Sequence, residues 1–202
     1  MILNAFSANI ELEECLLNMK EKNLINIFAK KNNKTLCETV YNGNPNNKYK
    51  KFKQIDDLRY SKYKDFPLGE FLFWLKGNND FFYKDFLNKY GDGSFCKFSL
   101  ADKHSTAQKG IYCYCIDGGL VYIGRCLDSF QKRVNQGYGN IHPKNCYIDG
   151  QQTNCRINSL INSARGKLSF HIYPMPDNNQ IKDLEKHLIR KYNPIWNTAL
   201  RT

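Results

Sequence analysis

Residues 109–124, KGIYCYCIDGGLVYIG, are the stretch from which the fold is read. Residues 110–116 are rich in Ile, Tyr and Cys, and residues 120–124 run Leu-Val-Tyr-Ile-Gly, the composition of strands. Asp117-Gly118-Gly119 between them is a hairpin signal. Loop length decides which side chains share a face. A two-residue loop at Gly118-Gly119 would set Tyr122 opposite Cys115 and leave Tyr112 on the other face. A three-residue loop, Asp117 to Gly119, pairs Ile116 with Leu120, Tyr114 with Tyr122 and Tyr112 with Gly124. The second is favoured, because its last position wants a left-handed residue and Gly119 supplies one. It gathers Tyr112, Tyr114 and Tyr122 on one face, with Gly124 opposite Tyr112. Three phenols beside a gap suit a face on which something polar docks.

Downstream, Asp128 or Ser129 caps a helix from about Phe130 to Gln136 that stops at Gly137. Residues 137–150 read as loop, and Thr153 opens a second helix, TNCRINSLINSAR. Residues 167–173, KLSFHIY, alternate as a third strand. The last helix runs from Ile181 to Tyr192 and ends before Pro194. Residues 109–202 therefore predict an α+β module, a three-stranded antiparallel sheet layered with helices. Residues 1–108 read as a separate accessory region, mixed but mainly helical. It has a helix over 9–22, short strands at 24–29 and 36–41, and a loop at 42–54. Two short aromatic helices follow at 68–76 and 79–90, the second capped by Asn79 or Asp80.

The last helix carries an anomaly. At about 100° per residue, Ile181, Leu184, Leu188, Ile189 and Tyr192 form one apolar stripe, and Glu185 falls inside it. A carboxylate there is costly unless it is paired or binds a metal. Arg133 and Arg125 are the candidate ion-pair partners. The other role is ligation of a hard cation such as Mg²⁺, for which one carboxylate plus phosphate oxygens and waters is a usual ligand set.

Four motifs now stand in order: Gly110-Ile111-Tyr112, Tyr122-Ile123-Gly124, Phe130-Gln131-Lys132-Arg133, and EKHLIRKYNPIWN from Glu185 to Asn197. Together they resemble the GIY-YIG nuclease family, including its excision-repair incision enzymes. The resemblance covers residues 109–198, slightly under half the chain. It implies a phosphodiester hydrolase using Mg²⁺ or Mn²⁺. Tyr112 would be the general base or would orient the attacking water, and Tyr122 would hydrogen-bond around the nucleophile. Arg133 would neutralise transition-state charge, Glu185 would hold the metal, and Asn197 would fix the end of the last helix. Arg125 is a further candidate for catalytic support. Many members carry His or Tyr four residues after the helix arginine. Here that position is Gly137, so Tyr138 and His142 are the candidates to fill the role.

Charge points to the same partner. The chain has 30 Lys and Arg against 19 Asp and Glu, net +11, with +4 in residues 1–108 and +7 in the shorter remainder. Such an excess suits a polyanion. Lys50, Lys51 and Lys53, interleaved with Tyr49 and Phe52, could track a phosphate backbone and stack on bases. Lys132 could do the same beside the arginine motif. Within GQQTNCRIN, Gln151, Gln152, Asn154, Arg156 and Asn158 are residue types that read base edges in a major groove.

The expected function is a metal-dependent endonuclease on double-stranded DNA, best matched to a type II restriction enzyme acting as a homodimer on a palindromic site. A phage or mobile-element nuclease is the alternative within the class. A non-cleaving nucleic-acid-binding protein on the same scaffold is the alternative outside it. No apolar run reaches membrane-spanning length, and MILNAFSANIELEE lacks the basic start of an export signal, so a cytoplasmic location with eight reduced cysteines is expected. The spacings of His142, Cys146, Cys155 and Cys126 match no standard zinc pattern.

Overall fold

The computed structural model describes residues 1–56 and 60–200. The chain opens with four strands, β1 (Ile2–Ala5), β2 (Ala8–Glu11), β3 (Glu13–Cys15) and β4 (Leu17–Leu24). Two helices, α1 (Leu36–Val40) and α2 (Leu68–Gly77), follow among four 3₁₀ turns. Next come β5 (Phe95–Leu100), α3 (Lys103–Ala107), β6 (Gly110–Ile116) and β7 (Gly119–Cys126). A π-helix spans Gln131–Tyr138, and α4 (Gln152–Ser163), β8 (Leu168–Pro174) and α5 (Asn178–Tyr192) complete an α+β protein. Among the described residues no helix is long and apolar enough to cross a membrane.

The chain divides into two units, and they are not its two halves. The first comprises Met1–Lys22, Cys96–Asn140 and Leu160–Thr202, the second Asn23–Phe95 and Ile141–Ser159. A boundary at residue 108 therefore cuts through the first unit.

The first unit is built on an antiparallel sheet of order β3-β8-β6-β7. The three expected strands are present, and β3 adds a fourth, with Glu13 opposite Ile172 and Cys15 opposite Phe170. The central hairpin has the expected pairs at its functional end, Tyr114 with Tyr122 and Tyr112 with Gly124. Its turn differs from expectation. Ile116 pairs with Gly119, so the loop is Asp117-Gly118, with φ of 49° and 79° as a type I′ turn requires. The register then shifts between Tyr114 and Cys115, which leaves Val121 as an extra residue. A shorter loop plus a bulge returns the same tyrosine register as the expected three-residue loop.

Ile111, Cys113 and Ile123 pack with Leu3, Ala5, Ile10 and Leu12 of the β1–β2 hairpin and with Ile181, Leu184, Leu188 and Ile189 of α5. Burying such side chains contributes about 1.5–3 kcal/mol each. Residues 9–22 were expected as a helix and form strands instead. The buried positions Leu3, Ala5, Ile10 and Leu12 alternate with exposed ones, a period of two, and Leu16, which a helix over 9–22 would place in its apolar stripe, is 73% exposed. Asp177 caps α5 by accepting from the amides of Asn179 and Gln180.

The second unit is packed with aromatics, including Phe28, Tyr49, Phe52, Tyr60, Phe71, Tyr83, Phe86 and Tyr147. Residues 36–41, expected as a strand, contain α1. Thr35 accepts from the Glu38 amide at 3.1 Å while Glu38 accepts from the Thr35 amide at 2.8 Å, a capping box that nucleates the helix. The expected strand at 24–29 is largely a 3₁₀ turn, Ile27–Lys30, and the expected helix at 79–90 shortens to a 3₁₀ turn, Phe81–Phe86, capped by Asp80. The expected loop at 42–54 contains a 3₁₀ helix from Lys48, in which Tyr49 and Phe52 are buried. The segment 141–159 belongs here as well: Tyr147 Oη donates to the Phe28 carbonyl at 3.0 Å.

Candidate active site

Alternation along β6 and β7 sends Tyr112, Tyr114 and Tyr122 to the sheet face opposite α5. Gly124 is the reason Tyr112 fits. A Cβ at 124 would run into the Tyr112 ring and its Oη. The ring therefore lies across the glycine, stacked on Phe170 and edge-on to Phe130. Tyr112 and Tyr114 are fully buried and Tyr122 nearly so.

The π-helix completes the cluster. Tyr138 Oη lies 2.9 Å from Tyr112 Oη and 3.5 Å from Tyr122 Oη. Arg133 Nε donates to Tyr112 Oη at 3.3 Å, and its guanidinium stands 5.1 Å from the centre of the Tyr138 ring. Tyr138, five residues after Arg133 rather than four, therefore lies against the same hydroxyl as Arg133. Hydrogen bonding from i to i+5 widens the turn by one residue and brings both onto one face. His142 does something else. It lies in the second unit, where its Nδ1 accepts from the Lys144 amide and caps the 3₁₀ turn Pro143–Cys146.

Burial pushes the Tyr112 phenol well above its ordinary range; Tyr122 and Tyr138 push the same way, and Arg133 opposes them. Tyr112 is consequently a neutral phenol at neutral pH.

On the other side of β7, Glu185 meets Arg125. The Arg125 guanidinium donates to Glu185 Oε2 at 2.5 Å, and the Glu185 side chain is only 13% exposed. This is one of the two ion pairs expected for it. Burial raises the Glu185 carboxyl above its usual range, against the pull of Arg125 and, more weakly, Arg133. Arg125 and Arg133 both line a cleft of about 350 Å³ with Cys126, Leu127, Asp128, Ser129 and Lys132. One arginine of that cleft is tied to the carboxylate and the other to the phenols. Lys132 is exposed and paired with Asp128 at 2.6 Å.

Asn197 clasps the outer strand of the sheet. Its Oδ1 accepts from the Ile123 amide at 3.0 Å and its Nδ2 donates to the Ile123 carbonyl at 2.8 Å. Trp196 adds a backbone bond to Val121 at 2.8 Å. The segment after α5 is thereby fixed along β7, between Tyr122 and Gly124.

Two carboxylates adjoin the cleft: Asp128, which lines it and pairs with Lys132, and Glu185, which pairs with Arg125. Among the described residues no group of three or more His, Cys, Asp or Glu is arranged to hold a metal. A single carboxylate completed by substrate phosphate oxygens and water remains a mode in which Mg²⁺ binds. Glu185 is paired with Arg125 and would have to give up that pair to bind a cation in this way.

The residues expected to contact DNA divide sharply. Gln151 and Gln152 are exposed at the start of α4 and Arg156 is half-exposed, but Asn154 and Asn158 are buried and turned away from solvent. These two cannot read base edges, because the helix's apolar face, with Cys155 and Ile157, takes them inward. Lys50, Lys51 and Lys53 are exposed, but Tyr49 and Phe52 beside them are core residues that stack on Phe86, not on bases. Two features had no signal in the sequence: the unbonded state of the Tyr114 hydroxyl, whose place on the face was expected, and the contact of Asn135. Tyr114 Oη is buried without a hydrogen-bond partner. Asn135 bonds Leu100, a contact that no local pattern announces.

No protein-family model matches the chain, and no curated protein or solved structure does so either.

Proposed function

We propose that this chain is a metal-dependent endonuclease of the GIY-YIG type that hydrolyses phosphodiester bonds in double-stranded DNA, acting in the cytoplasm as a sequence-specific restriction enzyme. The observation that carries the reading is the cleft in which Arg133, bonded to Tyr112, and Arg125, bonded to Glu185, stand together. The two tripeptide motifs, the helix arginine and the closing Glu–Asn motif are separated by up to 85 positions in sequence, and each supplies a residue to it or to its frame.

A phosphate in the cleft would meet the Arg133 guanidinium, whose planar fork matches phosphoryl oxygens and whose fixed charge opposes the charge developing in the transition state. Tyr112 and Tyr122 would hold the attacking water by hydrogen bonds, with Tyr138 fixing both hydroxyls. Glu185 would hold Mg²⁺ or Mn²⁺, which when bound supplies Lewis-acid polarisation of the phosphate and stabilises the leaving oxygen. Asn197 keeps β7 from shifting under Gly124. A homodimer would place two such clefts on a palindromic site, with the exposed Gln151 and Gln152 as candidates for base contact.

The test is incubation of purified protein with long duplex DNA and Mg²⁺ or Mn²⁺, followed by sequencing of the ends. Expected are cuts at one fixed motif, no cleavage by Glu185→Ala, and retained DNA binding by that variant that weakens steeply with salt. Binding without nicking on DNA of varied sequence would support the non-cleaving alternative. Equal cleavage by Glu185→Ala would remove Glu185 from the site.

A further inference from the structure

We propose that Asn135 is a positioning residue: clasped to the backbone of β5, it holds residues 131–138 in the π register and so brings Tyr138 onto Tyr112. In an α-helix residues five apart diverge by about 140° and do not share a face. Arg133 and Tyr138 nonetheless converge on one hydroxyl, that of Tyr112, at 3.3 and 2.9 Å. The wide turn that allows this is closed by the Gly139 amide donating to the Val134 carbonyl at 2.7 Å.

A π turn is a rare state of the chain and needs outside support. That support comes from β5. Asn135 Oδ1 accepts from the Leu100 amide at 2.8 Å and Asn135 Nδ2 donates to the Leu100 carbonyl at 3.3 Å, so the side chain acts as a short strand partner. Two residues back along β5, the Phe98 amide donates to the Gly139 carbonyl at 2.9 Å. Gly139 must lack a side chain, since a Cβ there would strike the Phe98 carbonyl. The helix is therefore stitched to β5 in its middle and at its end, on either side of the extra residue. The arrangement repeats that of Asn197, which clasps the amide and carbonyl of Ile123 on the other strand bounding the cluster.

The activity arm of the test rests on the nuclease reading, and the spectroscopic arm does not. Cleavage is compared across four proteins: wild type, Asn135→Ala, a deletion of Gly137, and the two changes combined. Deleting Gly137 places Tyr138 four residues after Arg133, the spacing at which an ordinary α-helix puts two side chains on one face. Asn135→Ala is expected to lower kcat roughly 10- to 100-fold with little change in KM, the scale of a small misplacement of a reacting group. In the Gly137-deleted background the same substitution is expected to leave kcat unchanged, a rescue that loss of general stability would not give. Fluorine NMR of 3-fluorotyrosine-labelled protein, with the Tyr138 signal assigned by Tyr138→Phe, should show that signal move in Asn135→Ala. Asn135→Asp, which keeps the acceptor for the Leu100 amide, should lie between. An unmoved Tyr138 signal in Asn135→Ala overturns the proposal whether or not the protein cleaves DNA, and a moved signal supports it should the deletion fail to fold. Wild-type cleavage unaffected by Asn135→Ala overturns it while leaving the nuclease reading intact. Absence of wild-type cleavage counts against the nuclease reading, and the fluorine signal still decides the role of Asn135.

Discussion

In the second unit Tyr49 donates to Asp149 at 2.6 Å, Tyr60 to Asp80 at 2.7 Å, Tyr83 to Asp92 at 2.7 Å and Tyr147 to a backbone carbonyl at 3.0 Å. In the first unit Tyr112, Tyr122 and Tyr138 bond to one another, and Tyr112 accepts from Arg133. Both sets are buried tyrosines, yet the charge of their partners differs: carboxylates and a carbonyl in one, a guanidinium in the other. A phenol giving its proton to an acidic or carbonyl oxygen is a peg: it satisfies its hydroxyl and gains nothing from further negative charge. A phenol facing a guanidinium has part of the cost of negative charge offset, although burial and the neighbouring phenols still hold the Tyr112 proton on. Burial and hydrogen bonding are common to both sets; what differs is the sign of the partner, and under the nuclease proposal that difference marks the tyrosines that would act on substrate.

The comparison would break first at Arg133. Arg133→Lys keeps a charge but loses the fork, and cleavage is expected to fall about 10²- to 10³-fold, with the melting curve little changed. A loss below threefold would place Arg133 with the structural groups. Next comes Tyr49→Phe, which removes a peg. It should lower unfolding free energy by about 1–2 kcal/mol in urea titrations and leave kcat unaltered. A fall in kcat without a fall in stability would erase the distinction drawn above.

A smaller effect is expected in alkali. Burial, then the bond to Asp92, raises the Tyr83 phenol from about 10 to about 12. The native state thus holds that proton more tightly than the unfolded chain. The contribution is fully present below pH ~10 and is lost as pH rises through about 12. Tyr83→Phe should flatten that part of the stability–pH curve. Smallest of all is Tyr114→Phe: its hydroxyl is buried without a partner, so removal should be neutral or stabilising by at most about 1 kcal/mol. A destabilisation above that size would show that Tyr114 Oη is bonded in solution, to water or to a neighbour.

Legibility followed the range of the interactions involved. The tyrosine register, the α5 stripe and the half-buried position of Glu185 are matters of period two and period 3.6, which neighbouring residues set among themselves. The 9–22 segment misled because Ile10, Leu12, Leu16 and Leu17 also fit a helical stripe. What made it strands was pairing: β2 with β1, β4 with β5, and Glu13 and Cys15 of β3 with Ile172 and Phe170, more than 150 residues away. The lysine-rich tract misled differently. Its polar composition is real, but Tyr49 and Phe52 found a core partly supplied by residues from about 100 positions downstream.

From the sequence alone came the hairpin, its tyrosine face, the last helix with an acid in its stripe, and the arginine on the helix that follows the hairpin. Those follow from backbone sterics and side-chain periodicity, which act over a few residues. Only the tertiary structure decided that Glu185 is held by Arg125, that a β5 strand spreads the arginine helix into a wide turn, and that Tyr138 rather than His142 reaches the phenols. Each of these depends on a hydrogen bond or ion pair between groups 26 to 60 positions apart in the chain, and no local preference encodes the distance that makes it.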